Sequence, residues 1–516
     1  MKTIGIQLFI LLLAAHVTAQ PSFLDDTFGD GGKVITAITN NDRAYAITLQ
    51  PDGKIVVAGT SVVNSFRNNI ILARYHANGV LDDAFGNGGK VISQFGDMSV
   101  ARAIELQSDG KILVAGQVED VFGMVRYNQN GTLDTTFGNR GIALAPFGSV
   151  IHEANAIAIL PDGKIVLAGV APSSISGAFA AARFLPNGTL DPTFGNGGKR
   201  TISFGGGQDI CNSLLIQPDG KMILSGYSTI QANADFAIVR LDTNGNLDLS
   251  FNGTGARRTA VGPGMDYAAS AVLLDNGKIL QLGYAFIEVG GTFRSGLAAI
   301  RLNSDGAIDS TFGDNGKKFL SGFLTTQDAY VYRALKEPNE KILLSGSFSG
   351  IVGLDLFVMR IDTSGTLDNS FGNNGIITAD FSASEYGHAL ARQPDGKILQ
   401  VGNNSTKVLT VRYNPQILSV PRTPEKPTGF RLMQNYPNPF NPTTMIGYEL
   451  SAASEVTLEL FDVLGRKVAT LVNGRQNAGA YSYTMNASQY GLATGTYFYR
   501  LQVGGVSETK KMLLVK

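Results

Sequence analysis

Residues 90–131 contain five short runs: Lys90-Val91-Ile92-Ser93-Gln94-Phe95, Ala101-Arg102-Ala103-Ile104-Glu105-Leu106, Ile112-Leu113-Val114-Ala115-Gly116, Phe122-Gly123-Met124-Val125-Arg126-Tyr127 and the closing Asn130-Gly131. The second alternates small or apolar residues with polar ones, as a half-buried strand does. Ser108-Asp109-Gly110-Lys111 is a tight-turn signal, and the apolar run after it reads as a buried strand. Asn130-Gly131 signals another turn. These runs predict four short strands in one unit, with no helical period long enough to compete.

The unit recurs along the chain. Its turn returns as Pro51-Asp52-Gly53-Lys54, at Pro161, Pro218 and Asp275, as Pro338-Asn339-Glu340-Lys341, and as Pro394-Asp395-Gly396-Lys397. A second anchor, Leu24-Asp25-x-x-Phe28-Gly29, repeats its phenylalanine at Phe85, Phe137, Phe194, Phe251, Phe312 and Phe371. Spacings run from 52 residues (Phe85 to Phe137) to 63 (Asp275 to Pro338). Such a period signals units that bury their apolar faces only against one another. Seven copies of four antiparallel strands predict an all-β fold with a seven-bladed β-propeller over residues 22–414.

The phase of the repeat predicts how the ring closes. The chain enters at the Leu-Asp-x-x-Phe-Gly anchor, so its first strand begins at Lys33. The last repeat stops after Val408-Leu409-Thr410-Val411-Arg412-Tyr413, without the strand that would follow. If each blade starts with the Ala-rich strand, the N-terminal strand supplies the missing outer strand of the seventh. Ala101, Ala103, Ala154, Ala156, Ala269 and Ala271 are small enough for an inner strand near a crowded axis, and Lys199-Arg200-Thr201 and Arg257-Arg258-Thr259 suit an outer edge.

Arg recurs at 74, 126, 183, 240, 301, 360 and 412, and the anchor Asp at 25, 82, 134, 191, 248, 309 and 368. A catalytic group is needed once, whereas a group that holds blades is needed in each. These pairs are therefore expected to tie the blades by charge-assisted hydrogen bonds, with the anchor Phe packed between blades. On these motifs residues 22–414 resemble the delta-60 repeat family, which implies a propeller and no assigned activity.

Residues 1–19 read as a secretory signal: Lys2, an apolar core from Ile4 to Ala15, and Val17-Thr18-Ala19 before Gln20. No later segment has the roughly 18 consecutive apolar residues of a spanning helix, so no transmembrane segment is expected in the mature protein. The 42 basic and 42 acidic residues balance without a basic block, which argues against nucleic acid as a partner. The single cysteine, Cys211, precludes an intrachain disulfide and reads as a buried, inert residue.

Pro415, Pro421, Pro424 and Pro427 mark an extended linker over 415–429. Beyond it, residues 430–516 alternate apolar and polar residues, as in Val456-Thr457-Leu458-Glu459-Leu460-Phe461, and suggest a small immunoglobulin-like β-sandwich. Asn435-Tyr436-Pro437-Asn438-Pro439-Phe440-Asn441-Pro442, Asp462-Val463-Leu464-Gly465-Arg466, Leu492-Ala493-Thr494-Gly495-Thr496-Tyr497 and Lys510-Lys511-Met512-Leu513-Leu514 are similar to the type IX secretion sorting domain, type A. That resemblance implies the type IX machinery as a partner, passage through the periplasm, and a mature form that is secreted or held on the outer cell surface after cleavage in the linker.

Catalytic motifs are scarce. His76, His152 and His388 form no metal-ligand pair, no Gly-x-Ser-x-Gly elbow occurs, and Asp242-x-Asn244-x-Asn246 lacks the Gly and Glu of a calcium loop. No catalytic residue, metal ligand or cofactor is assigned. One pattern points to a ligand site: the loops before the inner strands carry Asp42, Asp97, Glu153, Asp209, Asp266, Asp328 and Glu385. They share a face with variable loops at Ser61–Asn69, Ala171–Ala178, Thr229–Asp235 and Phe286–Ser295. A ring of carboxylates there would bind a polar ligand or a cation, calcium being the one cofactor it suggests, or would cap loop amides. The leading expectation is a surface propeller that binds an extracellular ligand, partner or glycan. The alternatives are a hydrolase or lyase with an axial site near His152, and a structural coat component. Absence of Trp weakens the glycan reading, although 17 Tyr offer sugar-stacking faces.

Overall fold

The computed structural model describes residues 23–515, except 66, 149–151, 173–176, 290–291, 321–326, 351–352, 415–429, 433–434, 436–437, 439, 451 and 464. The expected signal peptide and the expected linker lie outside the described residues. Contacts divide the chain into two units, Met1–Leu418 and Ser419–Lys516.

The first unit holds seven four-stranded antiparallel sheets among the described residues. The second sheet shows the plan. Val100–Leu106 is innermost, followed by Ile112–Val118, Val121–Tyr127 and Ile142–Leu144. The two middle strands are buried almost throughout, matching their near-continuous apolar runs, and the outer strand is shorter. Inner strands of consecutive sheets touch one another, and that of the first touches that of the seventh, so the sheets form a closed circle. Seven hydrophobic clusters, each drawn from two neighbouring sheets, fill the spaces between them. Each unit thus buries its apolar faces against its neighbours, as the repeat requires.

The ring closes through the N-terminal strand. Lys33–Thr36 pairs antiparallel with Lys407–Tyr413, Lys33 opposite Val411, and completes the sheet of Glu385–Arg392 and Ile398–Asn404. The strand predicted to begin the chain is the outer strand of the seventh blade.

The two sequence anchors meet in space. In each repeat the strand Arg places Nε 2.6–3.0 Å from the anchor Asp, and the turn Lys places Nζ 2.8–3.5 Å from the same oxygen. The guanidinium also lies over the anchor Phe ring, 4.2–4.8 Å from its centre. A second nitrogen of the Arg reaches the next repeat: Arg183 Nη1 donates to Thr243 O, and Arg301 Nη1 to Thr363 O at 2.8 Å. The Asn-Gly turn explains itself here. Gly131, at φ +84°, leaves space for the Phe85 ring, which a Cβ would meet at 2.9 Å. In the closing repeat Arg412 pairs with Asp25 and covers Phe28, so the seventh copy of this lock joins the two ends of the propeller.

Among its described residues the second unit has two sheets, one of Phe430–Leu432, Thr443–Leu450 and Gly479–Asn486, the other of Lys467–Gln476, Ser454–Phe461, Gly495–Val503 and Val506–Leu514. One apolar cluster, including Phe440, Ile446, Leu458, Tyr499 and Met512, draws on both. Its motif residues hold the last strand: Asn438 Oδ1 accepts from Leu513 N at 2.7 Å, and Phe440 N donates to Leu513 O. Asp462 closes its turn by accepting from Arg466 N at 2.9 Å and Nε at 2.7 Å.

Candidate functional site

Each inner strand carries one β-bulge near its start, opposite a glycine of the second strand. In the first sheet Ala44 pairs with Gly59 and Ala46 with Ala58, leaving Tyr45 as the extra residue. The same irregularity leaves Arg102, Asn155, Asn212, Ala269, Tyr332 and His388. The glycine is obligatory because a Cβ on Gly59 or Gly226 would overlap the carbonyl oxygen of Arg43 or Ile210. A bulge re-aims the side chain at the extra position. All seven bulge residues line one axial pocket of about 430 Å³. A scaffold that repeats around the circle therefore presents Tyr, Arg, Asn, Asn, Ala, Tyr and His at its mouth. The pocket lies toward the end of the ring where the inner strands begin, which also carries the variable hairpin tips, since Asp42 pairs with Ser61.

The pocket is aromatic over much of its rim. His388 packs between Tyr45 and Tyr332, with ring centres 4.9 and 5.0 Å away, and stacks on Tyr386 at 5.8 Å. Tyr227, Tyr267, Tyr284 and Tyr330 continue the arc in edge-to-face and tilted contacts of 4.8–5.2 Å. Arg102 lies over Tyr45, 4.3 Å from its centre, and its Nε donates to Glu153 Oε1 at 2.6 Å across two blades. Asn155 and Asn212 donate across the next junction to Cys211 O and Ala268 O, both at 2.9 Å.

Arg333 breaks the pattern most. Its equivalents on the other inner strands are Ala46, Ala103, Ala156, Ser213, Ser270 and Ala389, all opposite the same second-strand position. It lines both the upper pocket and a deeper one of about 350 Å³ floored by those small residues and Glu105. It makes no ion pair or hydrogen bond with any described residue, and burial, with no carboxylate to offset it, lowers its pKa. The guanidinium nonetheless stays charged. Burial opposes the charge on Arg102 as well, but Glu153 and Tyr45 together outweigh it, so that pKa rises. Burial, then Arg102, depresses His388 to about 3, so the ring is neutral at pH 7, and burial raises Tyr227 to about 12. Neither group is poised to exchange a proton near neutral pH. Arg102 is thus matched by Glu153, whereas Arg333 pairs with no carboxylate among the described residues.

The seven loop acids predicted from sequence do not form one ring. Three residues before each bulge lies a buried capping position, occupied by Asp42, Ser99, His152, Asp209, Asp266, Ala329 and Glu385. Asp42, Asp209, Asp266 and Glu385 accept from loop amides there: Ile38 and Thr39 at 2.8 Å, Phe204 at 2.9 Å, Val261 at 2.6 Å, and Ala383 at 3.1 Å. Burial raises Asp266 and Glu385 to about 7. Asp97, Glu153 and Asp328 stand at other registers: Asp97 is exposed, Glu153 pairs with Arg102, and Asp328 accepts from Ser295 N at 2.9 Å. His152 is a cap as well, its Nε2 3.2 Å from Gly148 O. Cys211 is buried, and burial raises its thiol to about 12. Asp242 closes a turn by accepting from Asn244 N and Asn246 N. Of the predicted acids, Glu153 alone lines the axial pocket.

A β-propeller family described as a domain of unknown function (DUF5122) matches the sequence at residues 50–85, 107–137, 160–194, 217–251, 276–312 and 337–371, each window holding one complete Arg–Asp–Lys–Phe lock. A secretion system C-terminal sorting domain matches residues 434–516. The chain thus carries tandem propeller repeats and a type IX sorting tail, and is exported to the cell surface or the extracellular space. Among solved structures, the chain is similar to a fungal alcohol oxidase of the AA5 family in complex with copper (14% identity, 94% of this chain and 98% of that one, TM-score 0.40). It is also similar to the polysaccharide lyase Uly1 (11%, 78% and 94%, 0.39) and to Sqt1 from Chaetomium thermophilum (15%, 73% and 96%, 0.38). The comparison with curated proteins returned no match.

Proposed function

We propose that this exported chain of propeller repeats and sorting tail is a surface binding protein whose axial pocket takes a ring-shaped ligand bearing an anionic group, an acidic sugar unit being the class that fits. The observation that carries this reading is Arg333: a half-buried cation, paired with no carboxylate among the described residues, placed where six equivalent positions hold Ala or Ser. A partly desolvated charge that lacks a partner costs free energy, and an anionic ligand supplies the partner. The tyrosine arc offers faces on which a sugar ring stacks, and the volume lies within the range of small-ligand pockets. A neutral His388 and a protonated Tyr227 support binding over proton-transfer catalysis.

The test is calorimetric titration of the purified chain with uronate-containing, sulfated and neutral oligosaccharides. Acidic ligands should bind, and Arg333→Gln should weaken them at least tenfold while leaving the melting temperature within a few degrees. Equal affinity for neutral and acidic sugars, or binding indifferent to Arg333→Gln, overturns the reading.

A further inference from the structure

Two junctions between blades carry clustered carboxylates, and they are neutralised differently. Between the fourth and fifth sheets Asp235, on the third strand, lies near the cap Asp266, and Arg258 of the outer strand places Nη1 2.7 Å from Asp235. Between the sixth and seventh sheets the equivalent positions are Asp355 and the cap Glu385. Arg258 pairs opposite Ala237, two residues beyond Asp235; the matching pair is Thr378 opposite Phe357, two residues beyond Asp355. The cation of the first junction is thus replaced by a threonine, and a third carboxylate, Asp380, is added.

Asp355, Asp380 and Glu385 each present an oxygen within 4.8 Å of the other two. Two oxygens bound to one calcium ion at 2.3–2.6 Å stand at most about 5 Å apart, so the set meets the span of a single ion. The cluster is not a solvated acidic patch. Asp355 is 7% exposed and makes no hydrogen bond or ion pair with any described residue. Glu385 is fully buried; its Oε1 accepts from Ala383 N and Asn404 Nδ2, while no described residue lies within hydrogen-bond geometry of its Oε2. Asp380 is exposed and offers the way in from solvent. Buried carboxylates in this arrangement call for a compensating cation, and no described residue supplies one where the sister junction supplies Arg258.

We propose that Asp355, Asp380 and Glu385 form a divalent-cation site, with calcium the ion that hard carboxylate oxygens favour, stapling the sixth blade to the seventh. The site is independent of the axial pocket. Occupancy ties down the blade completed by the N-terminal strand, and millimolar extracellular calcium suits the modest affinity typical of extracellular modules.

The full chain, stripped with chelator, is titrated with calcium chloride at fixed ionic strength, with magnesium in parallel, and read by calorimetry and thermal unfolding. One calcium per chain and a melting temperature raised by several degrees are expected. Asp355→Asn and Glu385→Gln should each weaken calcium at least tenfold, and Asp235→Asn, at the Arg-closed junction, should leave it unchanged. Thr378→Arg installs the sister solution and should abolish uptake in a folded chain, which covers the case that Asp355→Asn is too unstable to assay. Absence of calcium heat and of any thermal shift in the wild type overturns the proposal. So does stoichiometric binding that survives both Asp355→Asn and Thr378→Arg, and magnesium bound more tightly than calcium overturns the choice of ion.

Discussion

Asp191 shows what one repeated residue contributes. It is 2% exposed and holds Arg183 at 2.8 Å, Lys164 at 3.3 Å and Thr193 Oγ1 at 2.7 Å. Removing one partner of a buried ion pair strands the other, typically at a cost of about 3–5 kcal/mol. Asp191→Asn keeps the shape and part of the hydrogen bonding, so a loss of about 3 kcal/mol is expected, read from the urea midpoint. Asp191→Asn with Arg183→Met should cost less than the sum of the two, because the second change removes the stranded charge. Burial works against the Asp191 charge, but hydrogen bonds from Thr193 and the charges of Arg183 and Lys164 outweigh it and lower the pKa to about 2; Asp25 behaves alike. A lowered carboxylate pKa contributes stability that is complete above the unfolded value of about 3.9 and is lost as the pH falls through the folded one. The stability gap between wild type and Asp191→Asn should therefore be full at pH 6 and close between about pH 4 and pH 2, as thermal unfolding across that range would register.

At the scale of the strand, the bulge explains why the scaffold was legible in the sequence and the site was not. Turn residues, apolar runs and the recurrent Arg, Asp and Phe are local and repeat with the fold, so they announce themselves. The pocket is made by an extra residue within small-x-small triplets such as Ala44-Tyr45-Ala46 and Gly387-His388-Ala389, and nothing in one triplet says that the strand is bulged there. The loop acids looked equivalent because each lay just before an inner strand, but a shift of one residue changes the face a side chain occupies. Glu153 and the cap His152 are neighbours in sequence with different surroundings for that reason. The glycine facing the bulge is the local sign that was available, as in Ala115-Gly116 and Ser225-Gly226. Gly226→Ala should cost about 3 kcal/mol or more, since its Cβ would strike backbone that cannot yield. Gly220→Ala, at φ +81° in an exposed turn, should cost about 1 kcal/mol. Parallel denaturation of the two variants checks the contrast.

For the whole propeller, the repeat foretold the circle and its phase foretold the seam. The seventh lock is divided between Arg412 with Lys397 and Asp25 with Phe28, so no contiguous stretch of sequence contains it. Deleting residues 23–36 should expose the edge of Lys407–Tyr413 and the cluster beneath Phe28, and produce a chain that aggregates or melts well below wild type. Light scattering during a thermal ramp would detect both. The seam also bears on how copies of the chain treat one another. The strand Lys33–Thr36 finds its partner about 375 residues away, and nothing in the pairing distinguishes its own Val408–Val411 from that of a neighbour. Closure within one chain wins because the tethered end is held at roughly millimolar effective concentration. Crowded enough, or refolded from a concentrated unfolded state, two chains should trade first strands and emerge as an intertwined dimer with both rings complete.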